Sequence, residues 1–210
     1  MQQVPFFSRR SQAGFTLVEI SIVLIILGLL LGGVLRGSEI IENARVRNLY
    51  DSFTDLSTAI YGYQDRYGAI PGDDPLGAAR GFSNTPVTAV SGNGNGFIEN
   101  AAWCPASSGV ESCQALYHLR QAGYITGTGT LAPNNAFGTR VLVARTSGLV
   151  AGPDRPVAVC YENLDNKVAR ALDQKYDDNV SSSGAVRGNG DYVAGSNGSV
   201  SSPVTCINTN

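Results

Sequence analysis

The hydrophobic pattern of the chain is dominated by one apolar run near its start, over residues 14–35. The run reads GFTLVEISIVLIILGLLLGGVL and contains a single charged side chain, that of Glu19. A stretch of about 20 apolar residues is long enough for a helix to cross the hydrocarbon core of a bilayer. An ionised carboxylate in hydrocarbon costs several kcal/mol, so an acid in such a stretch usually has a partner. The pattern predicts a transmembrane helix over residues 15–36 with one functional acid.

A second periodicity follows the apolar run and predicts that the helix continues beyond it. From residue 46 onward, apolar side chains recur at alternating steps of three and four residues, which is the spacing of one face of an α-helix. These positions are Val46, Leu49, Phe53, Leu56, Ile60, Tyr63 and Tyr67. A helix from residue 15 to residue 66 would measure about 78 Å at 1.5 Å per residue. We expect residues 37–67 to form its second half and to pack this stripe on a globular head.

The head, residues 68–210, carries the signals of a small α+β domain. Gly68 and Pro71-Gly72 end the long helix, and residues 72–109 form a long loop rich in Gly, Asn, Pro and Ser. Runs of β-branched residues bounded by Gly and Pro predict strands. The predicted strands cover residues 140–145, 155–162, 191–194 and 204–207, and the predicted helices cover residues 110–122 and 163–176. The predicted fold class is α+β, with a small antiparallel sheet packed on the long helix.

A short polar leader precedes the apolar run. It contains Arg9 and Arg10, which the positive-inside rule keeps in the cytoplasm, and it ends at Gly14. A secretory signal peptide has a similar basic start, but its apolar stretch is shorter and ends at a small-residue cleavage site. Here the glycine lies before the apolar run, so cleavage after it would leave the anchor on the protein. An uncleaved signal anchor with an incidental glutamate is the alternative.

The sequence Gly14-Phe15-Thr16-Leu17-Val18-Glu19, directly before a membrane-length apolar run, resembles the N-terminus of type IV pilins and of type II secretion pseudopilins. The resemblance implies that a prepilin peptidase removes the leader, residues 1–14, by cutting after Gly14. It implies that the new N-terminus, Phe15, is methylated and that Glu19 is the assembly carboxylate. Mature chains of this family form a homopolymer through their N-terminal helices, so residues 15–36 would be the assembly half of the helix.

The same resemblance implies partners and a location. Before assembly, the chain is expected as a single-pass protein of the bacterial inner membrane, where it meets the lipid bilayer, the prepilin peptidase and an assembly platform. After assembly, it is expected in a periplasmic or extracellular filament. Cleavage creates an α-amino group on Phe15, four residues from Glu19. Opposite charges that leave water together cost less than either alone, so pairing between neighbouring chains would set their register.

The composition suits an exported domain and speaks against a nucleic-acid partner. The chain has 210 residues, with 15 Lys and Arg against 17 Asp and Glu, and 25 glycines. Loss of the leader removes two arginines and no acid, so the net charge falls from −2 to −4. Proteins that bind nucleic acid present a basic face. We therefore expect no nucleic acid among the partners.

The four cysteines, Cys104, Cys113, Cys160 and Cys206, suit an oxidising compartment. Their spacing matches no usual zinc framework, and they allow three disulfide pairings. We favour Cys104 with Cys113 and Cys160 with Cys206, because the second bridge resembles the C-terminal disulfide of many type IV pilins. The other pairings stay open at this point. Closure of the longer loop should stabilise the fold by roughly 3–4 kcal/mol in the chain-entropy model.

Residues 91–99, Ser-Gly-Asn-Gly-Asn-Gly-Phe-Ile-Glu, partly match a calcium-binding loop. Oxygen donors occupy its first, third and fifth positions and glycine occupies its sixth. The first position is Ser rather than Asp, however, and the twelfth is Ala rather than Glu. Some pseudopilins hold calcium in such a loop. If the loop folds back on an acidic pair before it, the candidate ligands are Asp73, Asp74, Asn93, Asn95 and Glu99. The simpler interpretation is an Asn–Gly turn cluster with no cofactor.

No catalytic residue is predicted, and we do not expect an enzyme. His118 is the one histidine of the chain, so a catalytic triad or a histidine zinc centre lacks parts. We expect it to be an exposed or hydrogen-bonded helix residue. Asp173, Asp177 and Asp178 form a second acidic cluster, which we expect to end a helix, with metal binding as the alternative.

Three functions fit these features. The first is a structural subunit, a prepilin, of a type IV pilus-like filament. The alternative within the same family is a pseudopilin of a type II secretion system, which a calcium loop would favour. The alternative of another class is an adhesive or DNA-uptake binding module displayed on a pilus. An exposed basic or aromatic patch on the head would favour that third function.

Overall fold

The computed structural model describes residues 14–80, 89–102, 104, 109–130, 132–190 and 204–209. The predicted leader, apart from Gly14, lies outside the described residues. The chain divides into two compact units, Met1–Asn43 and Ala44–Asn210. Helix α1, Leu17–Tyr67, begins in the first unit and ends in the second. The sheet, the other helices and both disulfides belong to the second unit.

The predicted long helix is confirmed, and its apolar stripe is buried within the second unit. Each stripe side chain from Val46 to Tyr63 is at most 8% exposed, because steps of three and four residues keep these side chains on one face. Helix α1 ends at Tyr67, and Gly68 follows with a φ of 65°. Glycine adopts this conformation without steric penalty and is the usual residue after a helix. The Gly68 N–H donates to the Gln64 carbonyl at 2.8 Å.

Four antiparallel strands form one sheet in the order β1-β2-β4-β3. The strands are β1 (Val141–Ala144), β2 (Ala158–Glu162), β3 (Val186–Gly188) and β4 (Val204–Asn208). Alternate residues of a strand face opposite sides of the sheet. Val141 and Val143 join the core that contains α1, whereas Leu142 and Ala144 join a second cluster that contains the four cysteines. Both faces are covered, so every strand residue is buried.

Three short helices complete the described structure. They are a 3-10 helix over Gly77–Arg80, α2 over Glu111–Gln121 and α3 over Asn166–Tyr176. Helix α2 lies in the core, with Leu116, Tyr117 and Leu119 buried. The Asp165 side chain caps α3 by accepting the Lys167 N–H at 2.8 Å. The two α-helices match the predicted ones, whereas the 3-10 helix was not predicted.

The α+β fold with a long N-terminal helix, a small antiparallel sheet and two disulfides is confirmed. Strand β3 was not predicted, because three residues flanked by Ser, Gly and Asn give no alternating pattern. The strand predicted over residues 191–194 lies outside the described residues.

The disulfides pair Cys104 with Cys113 and Cys160 with Cys206, as the sequence favours. Cys160 on β2 lies directly opposite Cys206 on β4, so this bridge crosses two neighbouring central strands. Its partners are 46 residues apart in sequence, against 9 for the other bridge. The longer bridge therefore fastens the last described strand to the rest of the sheet.

Candidate functional site

The start of α1 holds the predicted processing and assembly residues. Gly14 and Phe15 precede the helix, and both are exposed, Phe15 at 79%. Thr16 caps the helix, since its Oγ1 accepts the N–H of Glu19 at 3.3 Å. Thr16 was not predicted, although Thr-Leu-Val-Glu carries the Thr-x-x-Glu pattern of a capping box. The cap places Glu19 in the first helical turn, where the helix dipole favours a carboxylate.

The apolar side chains around Glu19 are exposed in the part of the chain that the structure describes. Every residue from 14 to 34 is exposed, and Leu24, for example, is 63% exposed. Among the residues that the structure describes, no cation lies within ion-pair distance of the Glu19 carboxylate. A contiguous apolar surface of this extent marks a site of contact with a membrane or another protein.

A stretch of α1 is long and apolar enough to cross a membrane, with a mean hydropathy of 2.7 over 18 residues. None of this stretch is buried inside the protein, unlike the core helix of a soluble domain. A signal sequence near the N-terminus has the same properties. Length and composition therefore show that the helix can span a bilayer. They do not distinguish a permanent membrane anchor from a signal sequence.

Four glycines, Gly28, Gly32, Gly33 and Gly37, lie within or just after this stretch. Among the residues that the structure describes, a Cβ atom placed on any of them would meet no atom within 4 Å, apart from the helix backbone itself. Packing inside the chain therefore does not require glycine at these positions. Small residues at such spacing allow helices to approach closely in membranes. Helix α1 runs through all four without a break.

The predicted calcium loop folds back on Asp73. The Asp73 carboxylate accepts the backbone N–H groups of Gly94 at 2.7 Å, Asn95 at 3.2 Å and Gly96 at 2.7 Å. The side-chain oxygens of Asn93 and Asn95 each accept the N–H two residues further on, at 2.9 Å. These are Asx turns, in which Asn supports the backbone of a tight loop. Asp73 is 3% exposed, so backbone donors take the place of water around it.

Asp74 belongs to a separate network at the end of α1. Its carboxylate is buried and forms an ion pair with Arg80. It also accepts hydrogen bonds from the Tyr63 hydroxyl at 2.7 Å and the Leu76 N–H at 2.9 Å. Burial opposes ionisation, but the hydrogen bonds from Arg80 and Tyr63 outweigh it and hold the pKa of Asp74 below its ordinary value. Arg80 also donates to the Tyr67 carbonyl at 3.2 Å, so the network fastens the end of α1 to the 3-10 helix.

These contacts weigh against a calcium ion held by the whole predicted ligand set. Arg80 neutralises Asp74, and Arg145 pairs with Glu99 at 3.4 Å. Calcium takes about six to eight oxygen ligands, among which carboxylates supply the charge. Two of the three predicted carboxylates are thus already matched by arginine, and Asp73 is surrounded by N–H donors. The structure brings the loop and Asp73 together as a turn cluster, and calcium binding stays a prediction.

Among the described residues, Asp173, Asp177 and Asp178 form a group whose ligand atoms lie close enough to share a metal ion. All three carboxylates accept backbone hydrogen bonds in the turn after α3. The donors are the N–H groups of Asn179, Val186 and Val180, at 2.7, 2.7 and 2.9 Å respectively. Hydrogen bonds from Ser183 and Val180 hold the pKa of Asp178 below its ordinary value. The cluster ends a helix, as the sequence analysis expects.

His118 on α2 is buried and hydrogen-bonded, so the exposed environment that the sequence also allowed is wrong. Its Nδ1 accepts the N–H of Gly72 at 3.1 Å, and its ring lies 6.1 Å from the ring of Tyr63. Burial lowers the pKa of His118 to about 4, and the nearby Asp74 charge opposes this shift only in part. The imidazole is therefore neutral at neutral pH and packs where α1, α2 and the following loop meet.

A family model described as the prokaryotic N-terminal methylation motif matches residues 9–35. No curated protein and no solved structure was found to match the chain. The matched segment contains Gly14, Phe15 and Glu19, and the motif is the one that prepilin peptidase processes in proteins that assemble into filaments. It points to a structural subunit rather than to an enzyme. The start of the long helix therefore carries a prepilin-type methylation motif, the kind of N-terminus that type IV pilins and pseudopilins share.

Proposed function

We propose that this chain is a structural subunit, a prepilin, of a type IV pilus-like filament. Prepilin peptidase cuts it after Gly14 and methylates Phe15, and the mature chain assembles through residues 15–36. The observation that carries this proposal is a methylation motif that continues into an exposed apolar stretch of α1. Lipid covers such a helix before assembly, and neighbouring helices cover it afterwards.

Glu19 is the residue on which assembly depends. Its carboxylate is costly in hydrocarbon, and no cation among the described residues of the same chain neutralises it. Cleavage after Gly14 creates an α-amino group on Phe15, and a neighbouring helix can bring that amine to the carboxylate. Two opposite charges buried together cost less than either charge alone. The pair therefore favours one register between neighbours, and the helix glycines allow close packing.

The proposal gives the chain two locations in succession. In the bacterial inner membrane, α1 crosses the bilayer once, and the chain meets prepilin peptidase and an assembly platform. In the filament, the chain lies in the periplasm or outside the cell. The two disulfides of the second unit support such an exported location, because disulfides persist in oxidising compartments.

A pseudopilin of a type II secretion system is the second candidate, because the methylation motif is common to both kinds of protein. A calcium loop would favour the pseudopilin. The pairing of Asp74 with Arg80 and of Glu99 with Arg145 weakens that argument, and we therefore place the pilus subunit first. Filaments purified from the cell surface distinguish the candidates. The pilus predicts this chain as a component of those filaments, and the pseudopilus predicts its absence.

The variant Glu19→Ala tests the assembly mechanism, with Glu39→Ala as the matched control. Glu39 is also an exposed acid of α1, but it lies beyond the apolar run. Both variants should enter the membrane and lose the leader. Filament yield should fall to background for Glu19→Ala and stay at the wild-type level for Glu39→Ala. A normal yield from Glu19→Ala would contradict the proposed mechanism.

A further inference from the structure

The turn over residues 93–96 contains two consecutive Asn–Gly pairs. Asparagine before glycine is chemically reactive in an accessible loop. The glycine backbone nitrogen loses its proton and attacks the side-chain carbonyl carbon of asparagine. A C–N bond forms, ammonia leaves, and the product is a cyclic succinimide. Water then opens the ring to give aspartate or isoaspartate, so the reaction needs no co-reactant other than solvent.

The backbone of this turn requires both reactive pairs. Gly94 has a φ of 72° and Gly96 a φ of 88°, a region that residues with a Cβ adopt only with strain. The side chains of Asn93 and Asn95 form the Asx turns that support the loop. A substitution that removed either pair would therefore remove a glycine or a turn-forming asparagine. The conformation of the loop therefore requires the same Asn–Gly pairs that are prone to deamidation.

One carboxylate holds both attacking nitrogens. The Gly94 N–H donates to Asp73 Oδ1 at 2.7 Å, and the Gly96 N–H donates to Asp73 Oδ2 at 2.7 Å. The Gly94 N–H also lies 3.1 Å from the Asp73 carbonyl oxygen. Hydrogen bonds to an ionised acceptor are short and strong, and they must break before the nitrogen can turn toward the asparagine. The adjacent negative charge also disfavours loss of the amide proton, which would create a second anion.

We propose that Asn93 and Asn95 are latent deamidation sites and that Asp73 keeps them unmodified by binding the attacking nitrogens of Gly94 and Gly96. The loop lies close enough to Asp73 for these hydrogen bonds because residue 92, which packs against Asp73, is a glycine. A Cβ on Gly92 would lie 2.3 Å from the Asp73 Cα atom.

Modification would also loosen the loop that Asp73 organises. The amide nitrogen of Asn93 lies 3.5 Å from Glu99 Oε2. Deamidation replaces this donor with a carboxylate, so two like charges would then face each other. Each event adds one negative charge, which makes the modified protein separable by charge as well as by mass.

The variant Asp73→Asn tests the protection, with Glu111→Gln as the matched control. Glu111 is a second anchor of the same loop, which accepts the N–H groups of Asn93 at 3.3 Å and Glu99 at 2.8 Å. The full chain is incubated in detergent at mildly alkaline pH, and aspartate plus isoaspartate at each asparagine is measured by peptide mass spectrometry. Asn189, exposed and followed by Gly190, is the internal reference.

Asp73→Asn should raise the deamidation rate at Asn93 and Asn95 about tenfold, which corresponds to about 1.4 kcal/mol of activation free energy. The rate at Asn189 should not change, and Glu111→Gln should leave the loop rates near those of the wild type. Unchanged loop rates in Asp73→Asn would overturn the proposal. An equal rise in Glu111→Gln or at Asn189 would do the same, because general loosening would then be the cause.

A measurement on the wild-type chain keeps the proposal testable if Asp73→Asn does not fold. In the native chain, Asn93 and Asn95 should deamidate more slowly than in the same chain unfolded in urea. Hydrogen exchange should show the Gly94 and Gly96 amides protected in the native chain. Equal native and unfolded rates, or unprotected glycine amides, would overturn the proposal.

Discussion

Two stretches of helix α1 differ in the burial of their apolar side chains. Within α1, Leu24 is 63% exposed, whereas Leu49 is 0% exposed and packs in the core of the second unit. The first stretch is apolar on all sides and exposed among the described residues, whereas the second is apolar along one stripe only. The first stretch therefore needs lipid or other chains around it, and the second is complete within the monomer.

The acids near these two stretches show the same contrast. Glu19 lies among exposed apolar side chains, and among the described residues no cation pairs with it. Asp74 is buried at the end of the second stretch and pairs with Arg80. A charge that is taken out of water needs an opposite charge beside it. The fold supplies that partner for Asp74, and we propose that proteolysis and assembly supply it for Glu19.

The largest expected effect on stability comes from breaking the pair that the fold supplies. Asp74→Ala leaves Arg80 without its carboxylate in a mostly buried site, which should lower the free energy of unfolding by about 3–5 kcal/mol. Glu19→Ala should leave the unfolding of the second unit unchanged. Urea unfolding of the full chain in detergent, followed by near-UV circular dichroism, measures both. The double variant Asp74→Ala/Arg80→Met should recover part of the loss; no recovery would argue against the ion pair as the cause.

Two leucine variants compare the stretches directly. Leu49→Ala should lower the free energy of unfolding by about 3 kcal/mol, because it leaves a cavity in a closed core. Leu24→Ala should change the unfolding of the second unit by less than about 0.5 kcal/mol, because the side chain is exposed in the monomer. Thermal and urea unfolding of both variants check this. Similar losses in the two variants would mean that the first stretch is also packed within the chain.

The buried His118 predicts a smaller, pH-dependent effect. Its pKa is about 4 in the fold and about 6.5 in an unfolded chain. Between these values the unfolded state binds a proton that the folded state does not, so stability falls as the pH decreases through this window. From about pH 7 to pH 5, His118 should account for a loss of about 2 kcal/mol.

The variant His118→Asn isolates this contribution, because its side-chain oxygen can accept the Gly72 N–H but does not titrate in this range. Its unfolding free energy should depend less steeply on pH than that of the wild type. Parallel pH profiles for the two proteins would refute the assignment to His118.

The smallest expected effect concerns metal removal. Arginines pair with Asp74 and Glu99, and backbone N–H groups surround Asp73, so protein donors organise the loop at the end of α1. A calcium chelator should therefore leave the melting temperature of the second unit unchanged. A clear decrease on chelation, reversed by added calcium, would restore the calcium site and strengthen the pseudopilin alternative.

Periodic patterns predicted the regular elements well. The three-and-four spacing from Val46 to Tyr67 gave the buried face of α1, and β-branched runs gave β1, β2 and β4. Strand β3 was missed because its residues Val-Arg-Gly are held by pairing with β4 rather than by a pattern of their own. Short segments of this kind depend on tertiary contacts, which local sequence does not encode.

The candidate site was predictable only where its residues are neighbours in sequence. The motif from Gly14 to Glu19 is local, so it could be recognised directly. Asp73 contacts a loop about 20 residues further along the chain, and Asp74 pairs with Arg80. From sequence spacing alone, a carboxylate that pairs with an arginine looks the same as a carboxylate that binds a metal. The burial of His118 was difficult to predict for the same reason, because it results from contacts with Gly72 and the end of α1.

The identity of the mature N-terminus tests the central claim most directly. Filaments or membranes from the native source are digested, and the N-terminal peptide is sequenced by mass spectrometry. The mature chain should begin at Phe15 with a methylated α-amino group, so that a cation is available to Glu19. An intact leader, or a start at any other residue, would contradict it.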